Sequence, residues 1–199
     1  MLGIAVQFDV DLAKTGSVAM TVSTMLRFFT IISNLLIAIL FSGIAAGRVV
    51  SNRPFLTGGA AVMIMLVGVV YGLLLRGLIP LSAGGRLADF LLHTATPILV
   101  PAYWLLFEDK GRLGWRHPWA WAAVPLLYLL YALIRGWLSG IYPYPFLDVI
   151  KLGGARVAAN AAAIAVGFLC ASFGLVALDR GLARWSGYRP GAYGNSNPS

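Results

Sequence analysis

Four polar side chains fall on one face of a predicted helix within an otherwise apolar stretch, STMLRFFTIISN at residues 23–34. Ser23, Arg27, Thr30 and Asn34 are spaced i, i+4, i+7 and i+11, which is the period of one helical face. Because polar groups are costly inside a bilayer, a polar face in such a segment marks a candidate functional site. The Thr30 hydroxyl is its candidate nucleophile.

A second polar face, on a later predicted span, supplies an imidazole and a carboxylate. Asp89 and His93 are four residues apart and share one helical face. Thr30 could attack a carbonyl carbon once His93 has accepted its proton, which is the chemistry of acyl transfer. Either Asp89 or Asp148, from a loop, could hold the imidazole in the required tautomer, and Asn34 or an arginine could bind the oxyanion.

Several more polar residues fall at the same end of their predicted spans. Arginine suits the carboxylate or phosphate of a lipid, because its planar guanidinium binds such groups through two parallel hydrogen bonds. Together with tyrosine and asparagine, the arginines would form a site for a lipid substrate that carries an anionic group. The predicted substrate-binding residues are Arg27, Tyr128, Tyr131, Arg135, Arg156 and Asn160.

Other interpretations of these residues compete with catalysis. A threonine in a membrane helix can donate simply to its own i−4 carbonyl, and a histidine can belong to a packing network. The same pocket would also serve a non-enzymatic protein that binds or transports lipid. No metal or cofactor is expected, because His117 is predicted at the opposite end of the bundle and leaves His93 without a second imidazole.

The composition indicates an integral membrane protein. Of the 199 residues, 59% are hydrophobic and 11% are charged, whereas soluble domains carry about 25% charged residues. The net charge of +8 is spread along the chain without a long basic run, which favours contact with anionic membrane lipids over nucleic acid.

The elements that must position these residues are helices of an all-α bundle. Residues 1–185 are predicted to form one transmembrane domain, and residues 186–199 a flexible tail. The segment IYPYPFLDVIKLGG is predicted to be an ordered non-helical loop, in which Tyr142 and Tyr144 fit interfacial aromatic residues. The helices are a short, partial first helix at 2–13 and five full spans at about 18–47, 57–79, 87–107, 118–139 and 154–180.

Alternation of the spans brings the polar ends of the helices to one side of the bilayer. One half of the bundle should therefore contain a polar pocket, and the other half should be plain packing. If the first segment crosses, many of the loop arginines share the side of the C-terminus, and the positive-inside tendency makes that side cytoplasmic.

Four stretches resemble a known family: RFFTIISNLL, LLHTATPILVPAYWLLF, YPYPFLDV and the GGAR that follows. They resemble the bacterial six-helix relatives of the androgen-induced protein family, which includes the androgen-dependent regulator of tissue factor pathway inhibitor. The resemblance covers about residues 20–182. It implies six helices and the inner membrane of a bacterium.

The resemblance also implies an activity. Animal members of that family hydrolyse fatty acid esters of hydroxy fatty acids with a threonine nucleophile and a histidine, and by motif these roles fall on Thr30 and His93. The pattern differs in two places: the first helix is short, and the proline after His93 is one position nearer than in the animal members. The implied function is that of a threonine-dependent lipid esterase.

Overall fold

The computed structural model describes residues 1–48 and 53–185, and both ranges are built from helices and connecting turns. Four of the described helices are long and apolar enough to cross a membrane, and a bent pair would make a fifth span. This is the architecture of an all-α membrane protein, as the composition predicts. The predicted tail at 186–199 lies outside the described residues. The helices are α1 Leu2–Thr15, α2 Val18–Met25, α3 Phe29–Ala45, α4 Arg53–Leu75, α5 Ala83–Phe107, α6 His117–Ser139, α7 Val149–Leu152 and α8 Gly154–Trp185.

The first helix is short, in agreement with the sequence. α1 has 14 residues, so it is about 21 Å long, less than the roughly 30 Å of the hydrocarbon core. It runs antiparallel to the start of α5, since Gly3 packs against Leu92 and Val10 against Gly84. α1 ends at Gly16, whose φ of 65° is a left-handed conformation that glycine adopts without strain.

The segment predicted as one span at 18–47 is broken. α2 and α3 meet at an angle of 94°, and Phe28 between them is extended, with φ −99° and ψ 131°. The single polar face predicted for this segment is therefore wrong in part. Thr30 and Asn34 remain on one helix, α3, whereas Ser23 lies on α2 and Arg27 in the break.

Side chains of α6 stabilise this break. A bent helix frees backbone carbonyls that would each be costly in a membrane if they remained unpaired. Three such carbonyls instead accept hydrogen bonds from α6, which explains how the break persists between apolar helices. The bonds run from Arg135 Nη2 to Ser23 O at 2.8 Å, from Tyr131 Oη to Leu26 O at 3.2 Å and from Tyr128 Oη to Arg27 O at 2.8 Å.

Two of the spans contain a π-helical turn, Tyr71–Leu75 in α4 and Leu91–Ala95 in α5. In α5 the turn precedes Pro97, which has no N–H to donate to the carbonyl of His93 four residues earlier. The first carbonyl of the turn, that of Leu91, accepts both the Thr96 backbone N–H and, at 2.8 Å, the Thr96 hydroxyl. Such turns are frequent at functional sites.

α4 is the central helix of the bundle, and two of its glycines allow close approach of its neighbours. A Cβ at Gly59 would lie 2.6 Å from the Trp121 ring of α6, and one at Gly68 would lie 2.9 Å from the Pro97 side chain of α5. Neither contact leaves room for a methyl group. Gly68 therefore allows the segment that carries His93 to pack directly against α4.

The connection from α6 to α8 buries two of its side chains, Tyr144 and Leu147, in the bundle. It contains a 3₁₀ turn at Pro145–Leu147 and the single-turn helix α7, whose N-cap is Asp148. Tyr144 is 9% exposed, so its interpretation as an interfacial aromatic residue is wrong. The prolines on either side keep Tyr144 itself extended, with φ −132° and ψ 141°, and allow its ring to enter the bundle. The prediction of a non-helical loop is wrong where these two short helical turns form.

The end of the bundle remote from Thr30 is more polar than predicted. Glu108 and Asp179 are buried there. Glu108 pairs with Arg53 at 2.9 Å, and Asp179 Oδ2 accepts a hydrogen bond from the Leu113 backbone N–H at 2.9 Å. The expectation of plain packing is wrong because the loop between α5 and α6 turns inward and requires polar partners for its backbone.

Candidate functional site

Thr30 and His93 are in contact although 63 positions separate them in the chain. Thr30 Oγ1 lies 3.2 Å from His93 Nε2, within hydrogen-bond distance. Thr30 is the second residue of α3 and is 7% exposed, and His93 lies in the π turn of α5. The break before α3 and the bulge in α5 thus place the hydroxyl and the imidazole together.

The imidazole is held on two further sides. Its Nδ1 lies 3.0 Å from Asp89 Oδ1, although the two groups do not have the alignment of a hydrogen bond. The Tyr71 ring stacks on the imidazole, with centroids 3.9 Å apart and planes 14° apart. If Thr30 donates its proton to Nε2, the ring N–H is on Nδ1 and faces Asp89, which favours that tautomer.

The Tyr144 hydroxyl, which the sequence did not suggest as a site residue, lies beside the nucleophile. It accepts a hydrogen bond from the Phe29 backbone N–H at 3.0 Å and also interacts with Thr30. Burial raises the pKa of Tyr144, so the phenol remains protonated and can act as a donor. In the sequence, Tyr144 is marked only by the prolines on either side of it. They indicate an ordered loop but not whether the tyrosine side chain points into the bundle.

Two of the predicted supporting residues have other partners. Asn34 Nδ2 donates to the Thr30 carbonyl of the preceding turn at 2.8 Å, so its amide bonds back to its own helix. Asp148 accepts from the Lys151 backbone N–H and pairs with the Lys151 ammonium at 3.3 Å. Asp89 is therefore the carboxylate that the structure places next to His93.

The predicted substrate-binding residues mainly contact the protein backbone. Arg135, Tyr131 and Tyr128 bind the break before α3, as described above, and Asn160 Nδ2 donates to the Phe146 carbonyl at 2.9 Å. Arg156 is exposed at the start of α8, and Arg27 is partly buried in the break. Of this group, only Tyr128 lines the cavity that adjoins Thr30.

That cavity has a volume of about 200 Å³ and lies among α4, α6 and α8. Thr30, Tyr71, Tyr128 and Tyr144 line it, and the remaining wall is aliphatic and aromatic. The described residues that form its wall include no charged side chain. The arrangement thus combines a hydroxyl, an imidazole and an apolar cavity, which are the components of a site for acyl transfer from a lipid.

No protein family, characterised protein or solved structure matches this chain in comparisons with known proteins.

Proposed function

We propose that this protein hydrolyses fatty-acyl esters of lipids within the membrane, with Thr30 as the nucleophile and His93 as the general base. The observation that carries the proposal is the 3.2 Å contact between Thr30 Oγ1 and His93 Nε2 at the wall of an apolar cavity. A threonine hydroxyl is a weak nucleophile unless an adjacent base accepts its proton. An imidazole within hydrogen-bond distance is such a base.

In the first half of the reaction, His93 Nε2 accepts the Thr30 proton while Oγ1 attacks the ester carbonyl carbon. The tetrahedral intermediate then collapses, the bond to the alcohol oxygen breaks, and His93 returns the proton to the departing alkoxide. In the second half, His93 accepts a proton from water as the water attacks the acyl-threonine. The products are a fatty acid and an alcohol, and Thr30 recovers its hydroxyl proton.

The other site residues support these steps. The Tyr144 phenol lies beside the nucleophile as a hydrogen-bond donor for the oxyanion, and the N-terminus of α3 contributes a favourable dipole. Asp89 stabilises the imidazolium that forms during each proton transfer. The stacked Tyr71 ring restricts rotation of the imidazole.

A second candidate is a lipid-binding or transport protein that uses the same cavity without chemistry. The observation in its favour is the cavity itself, whose apolar wall is sufficient to bind a chain. In that case the Thr30 hydroxyl would be dispensable for ligand binding. The two candidates therefore differ in the reactivity of Thr30.

The deciding experiment is covalent labelling of the purified protein in detergent with a fluorophosphonate probe, followed by mass-spectrometric mapping. We expect wild type and Thr30→Ser to be labelled at residue 30, and Thr30→Ala and His93→Ala to remain unlabelled. Thr94→Ala is the matched control, because Thr94 is exposed and adjacent to His93. Absence of labelling in a folded wild type would favour the non-enzymatic candidate.

We also propose a setting for this activity. The resemblance in sequence suggests the inner membrane of a bacterium, with the C-terminus on the cytoplasmic side by the positive-inside tendency. Access of a protease to an epitope at the C-terminus of the chain, in sealed inverted vesicles, tests the orientation. Protection of that epitope in inverted vesicles would contradict it.

A further inference from the structure

The residues that line the cavity next to Thr30 extend along their helices over about the length of one acyl chain within one leaflet. Its wall on α6 runs from Trp119 to Leu129, and its wall on α8 from Ala161 to Leu169. These stretches span about 15 Å and about 12 Å at the helical rise per residue. Half of the hydrocarbon core, the depth that one chain occupies in a leaflet, is also about 15 Å.

The chemistry of the wall suits a hydrocarbon chain and not a headgroup. No charged side chain is present among the described residues that line the cavity, and an unpaired carboxylate or phosphate there would be strongly disfavoured. The Tyr128 hydroxyl already donates to the Arg27 carbonyl, and the Tyr144 hydroxyl lies beside Thr30, where it would serve the scissile carbonyl. The anionic or polar half of an ester would therefore remain outside the cavity.

The cavity also adjoins the lipid-facing surface of the bundle. Trp119 and Leu126 on α6 both line it, and they are 63% and 52% exposed. In a bilayer, the same side chains would contact both the interior of the cavity and the surrounding lipid. A chain could reach Thr30 sideways from the bilayer, without passing through water, by displacing them.

From these observations we infer that the cavity binds the acyl half of the ester. This inference rests on the proposed function. The scissile carbonyl lies at Thr30, the chain extends toward Trp119, Ala122 and Phe168, and the alcohol half stays on the other side of Thr30. The substrates are esters of single fatty-acyl chains, taken directly from the membrane.

The test is the dependence of hydrolysis on chain length. Ala122 lines the remote part of the cavity, and Ala123 is exposed on the outer face of α6. With nitrophenyl esters from butyrate to palmitate, we expect Ala122→Phe to lower kcat/KM for palmitate about tenfold or more relative to butyrate. Ala123→Phe should keep the wild-type profile. Identical profiles for the two variants, with hydrolysis intact, would overturn the inference and leave the proposed function standing.

A binding measurement separates the cavity from catalysis. In the Thr30→Ala background, the methyl ester of a fatty acid brominated near its methyl end should quench tryptophan fluorescence saturably, because its bromines would lie beside Trp119. The saturable component should disappear on addition of Trp119→Phe or Ala122→Phe and persist with Ala123→Phe. If saturable quenching is observed in Thr30→Ala while the wild type hydrolyses no ester, the cavity is a lipid-binding site and the proposed function fails. Equal quenching in all these variants would overturn the inference.

Discussion

Thr30 Oγ1 and His93 Nε2 are 3.2 Å apart, and each of the two residues lies where its helix is irregular. Thr30 follows a 94° break between α2 and α3, and His93 lies in the π turn of α5. The His93 ring stacks on the ring of Tyr71, which lies in the π turn of α4. A regular helix pairs its own backbone groups, and helix irregularities are frequent at functional sites, so three irregularities around one contact mark it as the candidate functional site.

Tyr144→Phe tests the phenol as an oxyanion donor. Loss of a donor of this kind typically lowers kcat by about 10²–10³-fold, and we expect an effect of that size with little change in KM. Steady-state kinetics on a short-chain ester measures it. Tyr103→Phe is the control, because Tyr103 accepts a hydrogen bond from Arg53 at the remote end of the bundle.

The Tyr144 substitution also leaves the Phe29 N–H without its partner, which should cost about 1–3 kcal/mol of stability. A thermal unfolding measurement in detergent accounts for that cost separately. A normal kcat in Tyr144→Phe would show that the phenol has only a structural role.

Asp89→Asn tests the carboxylate that faces His93 Nδ1. The asparagine keeps the shape of the side chain but removes the charge that stabilises the imidazolium. Because the ion pair is not aligned as a hydrogen bond and Asp89 is partly exposed, we expect a loss in kcat smaller than the roughly 10⁴-fold typical of a buried triad aspartate. The rate of fluorophosphonate labelling should fall in parallel.

Asp9→Asn is the control for Asp89→Asn, since Asp9 is exposed on α1. A full loss of activity in Asp89→Asn, equal to that of His93→Ala, would contradict the secondary role given to Asp89. Unchanged kinetics would show that the carboxylate does not act on the imidazole at all.

Gly68→Ala tests the close packing that positions the His93 segment. The added methyl group would lie 2.9 Å from the Pro97 side chain, so α5 must move away from α4. We expect about 1–3 kcal/mol of destabilisation from the overpacking and reduced activity in the protein that remains folded. Thermal unfolding and kinetics, measured on the same preparation, determine both quantities.

Gly72→Ala is the matched control on the same helix, because a Cβ there meets no atom within 4 Å. It should leave activity close to that of wild type. If Gly68→Ala behaves like Gly72→Ala, the approach of α5 to α4 does not depend on this glycine.

The sequence was sufficient to predict the helical membrane fold, and it suggested Thr30 and His93 because polar side chains inside apolar spans are few and share helical faces. It did not predict the break before α3, because the bonds that stabilise the break come from α6, about a hundred residues later. Hydropathy and periodicity report on one segment at a time. Tyr144 was missed for the same reason, because its place beside Thr30 depends on how the loop packs against α3, which is distant in the sequence.

The prediction that arginines bind the substrate rests on residue type, and Arg135 shows that another kind of partner is available to a guanidinium. A guanidinium in an apolar segment requires hydrogen-bond acceptors, and a lipid anion is one possibility. The backbone carbonyls of a broken helix are another, and Arg135 binds one of them together with the Ser23 hydroxyl. Residue type alone does not distinguish these two cases.

Arg135→Gln distinguishes them experimentally. Because Arg135 binds the Ser23 carbonyl and hydroxyl and the Tyr131 hydroxyl, we expect its loss to loosen the break that precedes Thr30. Thermal stability should then fall, and kcat/KM should fall by a similar factor for neutral and anionic esters. Arg156→Gln is the control, because Arg156 is exposed at the start of α8, and it should change neither quantity appreciably. A rise in KM confined to anionic esters in Arg135→Gln would instead show that the guanidinium binds the substrate.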